Sequence, residues 1–319
     1  MSSSFLYMIG SPLCLISAQD IRIAPFSHLK SPMAKLTGSF LKIYLMQLCI
    51  CFVLEGQTQV VDCTRSGIRD SLVNRFIVMG AERAGVFYTD PRWQLYCDSI
   101  VAVCENVAEA YQLKALPFVK YGDYLAAMPL LDKAVLYDTL QYLPYRGFIK
   151  CIFAKDYDGA IADFNLCQRL AGTGGVMDHA YSFYLGLCYL ESGKPGLAWP
   201  YIAEDIQVQQ GRGAGAEVHF NACLYAGIIQ LELNSPDSAK YFLQRCLDQY
   251  PQHPEGNYYM ALTMQRLGFP GDARRYAEAG RDGLIAGYRM NEDNIYYVNY
   301  PRQVNLKDFD ALTDLLRIH

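Results

Sequence analysis

The chain has 319 residues, of which 52% are hydrophobic and 19% are charged, and its formal net charge is −4. This length accommodates two ordinary domains or one long repeat array, and the hydrophobic content suffices for a continuous core. The small negative charge excludes the broad basic surface that nucleic-acid binding requires, so we expect no nucleic-acid partner.

The N-terminal part of the chain differs in pattern from the rest. Residues 1–32 have no sustained hydrophobic period. Met33 is a second candidate start of the protein, and it is followed by Lys35, Lys42 and a mostly apolar run over residues 43–54. A positive flank before a short apolar run is typical of a secretory signal peptide, and a stable transmembrane span needs about 18 residues. We interpret residues 1–56 as a leader, with residues 33–56 as the signal peptide and residues 1–32 as an upstream over-read or a flexible extension.

This interpretation of the leader predicts an exported protein, periplasmic or associated with the cell envelope. The alternative is that residues 33–56 form a buried core helix, in which case the protein is cytoplasmic. A lipid-anchored protein is the weaker alternative, because Cys49 and Cys51 each follow a large apolar residue rather than a small one.

Residues 57–107 are predicted to be an N-terminal helical segment, with a partial helix pair around residues 92–104. Cysteines beyond residue 57 are scattered and contain no CxxC pair, so neither a zinc site nor a redox motif is indicated. Cys97 and Cys104 are seven residues apart on a predicted helix, about 10 Å in rise, which is too far for a disulfide between them. Cys167 and Cys246 occupy a small-residue position of the repeats described next, and we expect them to be apolar packing residues.

A ladder of similar helical segments follows. Small residues recur at Ala127, Ala160, Ala198, Ala239 and Ala273, with a spacing of about 33 to 41 residues. A period in this range predicts stacked helix pairs, in which a small residue allows the two helices of a pair to approach closely.

The first complete unit illustrates the pattern. Its first helix is predicted to begin at Ala108 and to run towards Tyr121, before Gly122 breaks it, and its second helix begins near Leu125. Pro117 lies inside the first helix, where we expect a kink or a late helix start.

The repeats resemble the tetratricopeptide-repeat family, and in particular its exported bacterial members. The residues that carry the resemblance are Leu185, Gly186 and Tyr189 in a first helix and Ala160, Phe164, Ala239, Cys246 and Pro251 in second helices. The resemblance implies an all-α fold, an α-solenoid of about five helix pairs over residues 108–281, followed by a capping segment over residues 282–319.

In that family the first helices line an inner, concave face that binds peptides or partner helices. Carrying the orientation over gives the candidate partner-binding residues Tyr142, Tyr145, Ile149, Phe183, Leu187, Leu190, Leu224, Ile228, Tyr258 and Leu262, with Gln112, Val119, Leu231 and Gln265 beside them. This lining is apolar and aromatic, and its lack of basic groups argues against a clamp for a peptide carboxylate. The alternative is that neighbouring repeats or the chain's own tail bury these residues.

The tail is predicted to close the array. An aromatic stretch is followed by a helix with Asn305 as its cap, Asp308 three residues on, and an apolar stripe of Phe309, Leu312 and Leu316. A solenoid must cover its last hydrophobic face, so we expect this segment to be a cap, with the aromatic stretch docked into or beside the groove.

No pattern for catalysis is present. The Gly-rich stretches over residues 172–175 and 211–215 lack the preceding strand of a phosphate loop and are predicted to be loops. His179, His219 and His253 fall at junctions between units, where surface or capping roles are expected rather than metal binding. We therefore expect no catalytic residue, cofactor or metal.

The sequence thus predicts a non-catalytic interaction scaffold or adaptor that binds a protein or peptide through its solenoid surface. One alternative is an accessory subunit of a cell-envelope enzyme or transport complex. An unrecognised hydrolase is the weaker alternative.

Overall fold

A computed structural model describes residues 61–211, 213, 217–290 and 300–318, so the predicted leader lies outside the described residues. The described part contains thirteen α-helices: α1 Ser66–Val73, α2 Trp93–Val103, α3 Ala108–Tyr121, α4 Tyr124–Tyr137, α5 Thr139–Phe148, α6 Tyr157–Ala171, α7 Tyr181–Glu191, α8 Pro195–Gln210, α9 Phe220–Glu232, α10 Pro236–Gln249, α11 Pro254–Arg266, α12 Pro270–Ile285 and α13 Leu306–Ile318. π-Helical turns at Asn74–Ala81 and Ile149–Ala154 extend α1 and α5, and Glu82–Ala84 forms a 3₁₀ turn. Within these ranges, every helix falls short of the length and apolarity that a membrane crossing requires.

The helices from α3 to α12 form five consecutive packed pairs, which we number as units one to five. In each unit the two helices pack against each other, and the second helix packs against the first helix of the next unit. The predicted all-α solenoid is confirmed. The ladder alanines at positions 127, 160, 198, 239 and 273 are all fully buried between helices.

The turn between the two helices has the same backbone conformation in every unit. One residue of each turn has a positive φ of 58° to 80°: Gly122, Lys155, Gly193, Asn234 and Gly268. These five positions repeat at the same intervals as the ladder alanines. Glycine suits this left-handed region because it has no Cβ, whereas Lys155 and Asn234 adopt it at an energetic cost that is smaller for asparagine.

Close packing within a unit depends on matched side-chain sizes. In unit four, a Cβ added to Gly227 would lie 2.5 Å from the side chain of Leu243, so glycine leaves room for the leucine. At the equivalent positions of unit five, Ala261 replaces the glycine and the small Ala277 replaces the leucine. Unit five thus accepts an alanine where unit four requires a glycine, because the facing side chain is smaller.

Of the two alternatives predicted at Pro117, a kink or a late helix start, the late start is wrong, because α3 begins at Ala108 and continues through the proline. Pro117 has no N–H, which leaves the carbonyl of Leu113 without its normal helical donor. The indole Nε1 of Trp93 donates to that carbonyl at 2.9 Å. A side chain from α2 therefore completes the hydrogen bonding that the proline removes from α3.

A disulfide joins Cys63 to Cys104, with 5.6 Å between the Cα atoms. It ties the start of the described chain to the end of α2, beside a separate hydrophobic cluster formed by α1, its π-helical extension and α2. Asn106 Nδ2 also donates to the carbonyl of Cys63 at 3.0 Å. No spacing pattern indicates this pair in advance. Cys167 and Cys246 are unpaired and buried, which confirms their interpretation as packing residues.

The C-terminal helix α13 packs on α12 and α11. The backbone N–H of Lys307 donates to Asn305 Oδ1 at 2.9 Å, and the N–H of Asn305 donates to Asp308 Oδ2 at 2.7 Å. These bonds confirm the predicted helix cap, and the predicted stripe is buried, with Phe309 fully enclosed. A Cβ on Gly280 of α12 would lie 2.8 Å from the Phe309 ring, so the ring seats where α12 lacks a side chain.

Candidate functional site: the first-helix face

The first helices of the five units, α3, α5, α7, α9 and α11, form one side of the solenoid, which we call the first-helix face. The tail segment, residues 300–304, lies on this face before α13 begins. Every contact described below between the tail segment and the units is made to α7, α9 or α11. The tail therefore occupies the first-helix face of units three to five.

Two tyrosine hydroxyls bind the main chain of the tail segment. Tyr225 Oη of α9 donates to the carbonyl of Pro301 at 2.8 Å, and Tyr259 Oη of α11 donates to the carbonyl of Arg302 at 3.0 Å. Burial raises the pKa of both hydroxyls, so they remain protonated donors. These bonds do not depend on the side chains of the bound segment.

A third tyrosine occupies the equivalent place one unit earlier. Tyr184, Tyr225 and Tyr259 are separated by the same two intervals as the ladder alanines of units three, four and five. Tyr184 Oη of α7 donates to the carbonyl of Val176 at 3.2 Å. We call these three residues the tyrosine ladder, since each hydroxyl binds a main-chain carbonyl that belongs to neither helix of its unit.

The side chain of Arg302 lies between two carboxylates. Its guanidinium is 2.7 Å from Glu191 at the end of α7 and 2.9 Å from Glu232 at the end of α9. It also donates to the carbonyl of Leu190 at 3.4 Å. The three ionic side chains remain 20–33% exposed, so water weakens their attraction, and the arrangement confers geometric selectivity more than stability.

The tail is held at two further points. The N–H of Val304 donates to Glu255 Oε1 at the start of α11, at 3.2 Å. At the other end of the segment, the N–H of Tyr300 donates to Gln303 Oε1 at 2.9 Å, and Gln303 Nε2 donates to the carbonyl of Met290 at 2.7 Å. Gln303 thus turns the chain back towards the end of α12.

The first Gly-rich junction forms a two-stranded antiparallel hairpin, β1 Gly175–Val176 and β2 His179–Ala180, rather than an irregular loop. The ring of His179 stacks on Phe183 with 3.8 Å between centroids. Burial, and secondly the neighbouring charge of His219, lowers the pKa of His179 to about 3. His179 is therefore a neutral core residue at physiological pH.

The other two junction histidines cap helices, as predicted. His219 Nδ1 accepts from the N–H of Asn221 at the start of α9, and His253 Nδ1 accepts from the N–H of Gly256 at the start of α11, both at 3.2 Å. Within the described ranges, no group of three or more His, Cys, Asp and Glu side chains is placed to hold a metal ion.

The ten candidate partner-binding residues fall into two groups. Six are in the interior, each with 1% exposure or less: Ile149, Phe183, Leu187, Leu190, Leu224 and Ile228. Four are half-buried: Tyr142, Tyr145, Tyr258 and Leu262. In α9, for example, every residue from Asn221 to Leu231 is buried, so no side of this stretch faces solvent.

The end of the first-helix face formed by units one and two lies beyond the described contacts of the tail segment. Tyr142 and Tyr145 belong to α5, the first helix of unit two, and Tyr142 lines a cavity of about 180 Å³ together with Arg69, Asp70 and Glu109. Burial, and secondly the charge of Asp70, raises the pKa of Glu109. This region combines half-buried aromatic rings with carboxylates.

None of the residues that hold the tail is among the candidates predicted from the sequence: Tyr225, Tyr259, Glu191, Glu232 and Glu255. One signal could have found some of them. Aligning the units position by position places a tyrosine three times in succession and a glutamate at 191 and 232. Polar residues that recur on the inner helices of a repeat array indicate a shared binding task rather than packing.

No protein-family model matches the chain, and no curated protein is detectably similar in sequence. Among solved structures, PilW, a widely conserved type IV pilus biogenesis factor, has a TM-score of 0.54 at 12% identity and covers 69% of this chain and 96% of its own. MamA from Desulfovibrio magneticus RS-1 has a TM-score of 0.47 at 14% identity and covers 56% of this chain and 96% of its own. YrrB, a TPR protein with an unusual peptide-binding site, has a TM-score of 0.45 at 16% identity, with coverages of 60% and 93%.

The chain has the tetratricopeptide-repeat fold. The likeness to PilW and the five packed helix pairs support this assignment. The likenesses to MamA and YrrB, with TM-scores below 0.5, carry no argument. At these identities the likeness concerns the fold alone. The tetratricopeptide solenoid of this protein differs from a bare array of units in that its own tail lies on its first-helix face.

Proposed function

We propose that this tetratricopeptide-repeat protein is a non-catalytic scaffold or adaptor that binds a protein partner through its first-helix face. One observation carries the proposal: the face holds a short turn-containing segment, residues 300–304, by bonds from Tyr225 and Tyr259 to its main chain and from Glu191 and Glu232 to its Arg302. Such a combination of main-chain and side-chain contacts is how proteins bind extended peptides.

A partner makes its first contact with the first-helix face at units one and two, because the described contacts of the tail segment are all with units three to five. Half-buried tyrosines suit this role because they supply a large contact area with few rotatable bonds. We propose Tyr142 and Tyr145 as the entry points among the ten candidates. The six interior candidates support the face from within, and the segment over residues 282–319 acts as its cap.

Site-specific crosslinking tests this function. A photo-crosslinking amino acid is placed at Tyr145, and separately at Tyr241, an exposed tyrosine on the second helix of unit four. The expected result in the native host is one stoichiometric crosslinked protein from position 145 and none from position 241. Crosslinks that are absent from position 145, or equal at both positions, would contradict the proposal.

The rival function is an accessory subunit of a cell-envelope enzyme or transport complex. This alternative is supported by the fold likeness to PilW, which is a type IV pilus biogenesis factor. The identity of the crosslinked protein separates the two, because an envelope enzyme or transport component as the partner supports the accessory role. Activity of the isolated chain that is lost on a single carboxylate or cysteine substitution would instead support a hydrolase.

We also propose that the protein is exported, to the periplasm or the cell envelope. The signal-peptide pattern of residues 33–56 supports export, and so does the Cys63–Cys104 disulfide, since disulfides persist mainly in oxidising compartments. N-terminal sequencing of the natural protein tests this. A mature chain that begins near Gln57 supports export, and a chain that keeps residues 35–54 contradicts it.

A further inference from the structure

The occupied part of the first-helix face has features of a binding site for a particular kind of segment. Three features recur along it in consecutive units. The first is the tyrosine ladder, which binds main-chain carbonyls, and the second is the pair of carboxylates Glu191 and Glu232, which are one repeat apart. The third is a side-chain hydrogen-bond acceptor at the start of a first helix. The last of these is Glu255, which accepts from the N–H of Val304.

The acceptor position also exists one unit earlier, where it is not used by the described tail. Asn221 precedes Glu255 by the interval between units four and five, and its place relative to Tyr225 is the same as that of Glu255 relative to Tyr259. Asn221 is 6% exposed, and its Oδ1 is buried without a hydrogen-bond partner among the described residues. A buried acceptor with no donor is unfavourable, and a bound segment with a main-chain N–H at this place would satisfy it.

The chain's own tail fits this site imperfectly. Arg302 has a φ of 59°, in the left-handed region that a residue with a Cβ adopts at a cost. The tail also turns away at Tyr300, whose N–H bonds to Gln303 rather than to the face. An extended segment of another chain carries neither the turn nor the left-handed residue, and it continues along the face to Asn221.

We propose that this site binds an extended segment of a partner protein that carries an arginine, and that residues 300–304 occupy it until that segment displaces them. Tyr225 and Tyr259 of the tyrosine ladder bind the partner's carbonyls, and Glu191 and Glu232 bind its guanidinium. Arginine is required rather than lysine because its planar group spans two carboxylates from neighbouring units. This inference rests on the proposed function, since it names the partner segment of the same face.

Peptide binding to the full-length protein tests the proposal. The probe is a fluorescent peptide with the sequence of residues 300–305, Tyr-Pro-Arg-Gln-Val-Asn, and its affinity is measured by fluorescence anisotropy. Two variants break the same ion pair from opposite sides, Arg302→Ala and Glu232→Gln. Arg302→Ala weakens the tail and leaves the site intact, whereas Glu232→Gln weakens the tail and the site together.

The expected result is that Arg302→Ala binds the peptide at least tenfold more tightly than the wild type, and that Glu232→Gln shows no gain. A peptide with alanine in place of arginine should bind Arg302→Ala at least tenfold more weakly than the original peptide. Arg275→Ala, which removes an exposed arginine of α12, is the control and should bind like the wild type.

Three outcomes would overturn the proposal. The first is an equal change in peptide affinity for Arg302→Ala and Glu232→Gln, which a purely structural tail contact predicts. The second is equal affinity of Arg302→Ala for the arginine and alanine peptides. The third is that Arg302→Ala dimerises through exchanged tails, as measured by light scattering, and does not bind the peptide. Failure here leaves the crosslinking result at Tyr145 unaffected, so the loss of this inference is distinguishable from the loss of the proposed function.

Discussion

Removing the Cys63–Cys104 disulfide should destabilise the N-terminal part of the protein and leave the distant units unchanged. The two cysteines are 41 residues apart, and closing a loop of that length stabilises the folded state by about 4 kcal/mol through the entropy of the unfolded chain. We therefore expect the double variant Cys63→Ser/Cys104→Ser to lower the free energy of unfolding of this region by about 2–4 kcal/mol, since measured values often fall below the entropic figure.

The positions of the tryptophans allow this region to be observed separately. The chain has two Trp residues, and only Trp93, which is 5% exposed, lies in the hydrophobic cluster beside the disulfide. With Trp199→Phe as the background, urea unfolding followed by Trp93 fluorescence reports the N-terminal cluster, while circular dichroism reports all the helices. A repeat array need not unfold as one unit, so the two signals should separate further in the double variant.

The control is the effect of a reducing agent. It should shift the Trp93 transition of the disulfide-containing protein to lower urea and leave that of the serine variant where it is. If the Trp93 transition is the same with and without the two cysteines, the disulfide does not form or does not constrain this region, and the support that it lends to export is lost.

Three other substitutions test separate parts of the structure. Phe309→Ala should lower the free energy of unfolding by about 3–5 kcal/mol in urea titrations because it empties a fully buried position, whereas Leu315→Ala, on an exposed side of the same helix, should change it by less than about 1 kcal/mol; equal effects would show that α13 is not integrated into the core. Because the pKa of His179 falls from 6.5 to about 3 on folding, its contribution to stability is complete above pH 6.5 and decreases as the pH falls towards 3. The wild type should therefore lose about 2 kcal/mol more stability than His179→Gln between pH 6.5 and 5, and parallel pH profiles would contradict the buried neutral ring. Finally, Trp93→Phe should cost about 1–3 kcal/mol by leaving a carbonyl without a donor, and this cost should be smaller when Pro117→Ala restores the helical N–H; additive effects in the double-mutant cycle would refute the pairing.

Local patterns in the sequence were sufficient to predict the helix pairs and the end of the chain. The ladder alanines placed the units, because a small residue is needed wherever two helices approach closely. The cap of α13 was readable from Asn305 and Asp308, since a capping box involves residues only three apart. In both cases the interacting residues are near each other in sequence, so their spacing carries the information.

The disulfide, the bond from Trp93 and the ion pairs of Arg302 could not be predicted from local sequence patterns. Cys63 and Cys104 show no spacing that distinguishes them from the other cysteines, and Trp93 bonds to a carbonyl 20 residues away that only the proline leaves open. Glu191 and Glu232 recur at equivalent positions of two units, but no local pattern pairs them with Arg302. Pairings of this kind depend on how the units stack, so they become visible only with the structure.

The position of the tail has a consequence for how the protein is made. Contacts in a helix-pair array are mostly local, so each unit can form soon after its residues are synthesised. The bond from Arg302 to the carbonyl of Leu190 spans 112 residues, and the tail follows every unit that it covers. The surfaces of α7, α9 and α11 that the tail segment contacts therefore stay open until residues 300–304 have been synthesised. Transiently exposed surface of this kind is prone to aggregation, so we expect the nascent chain to be most vulnerable during that interval.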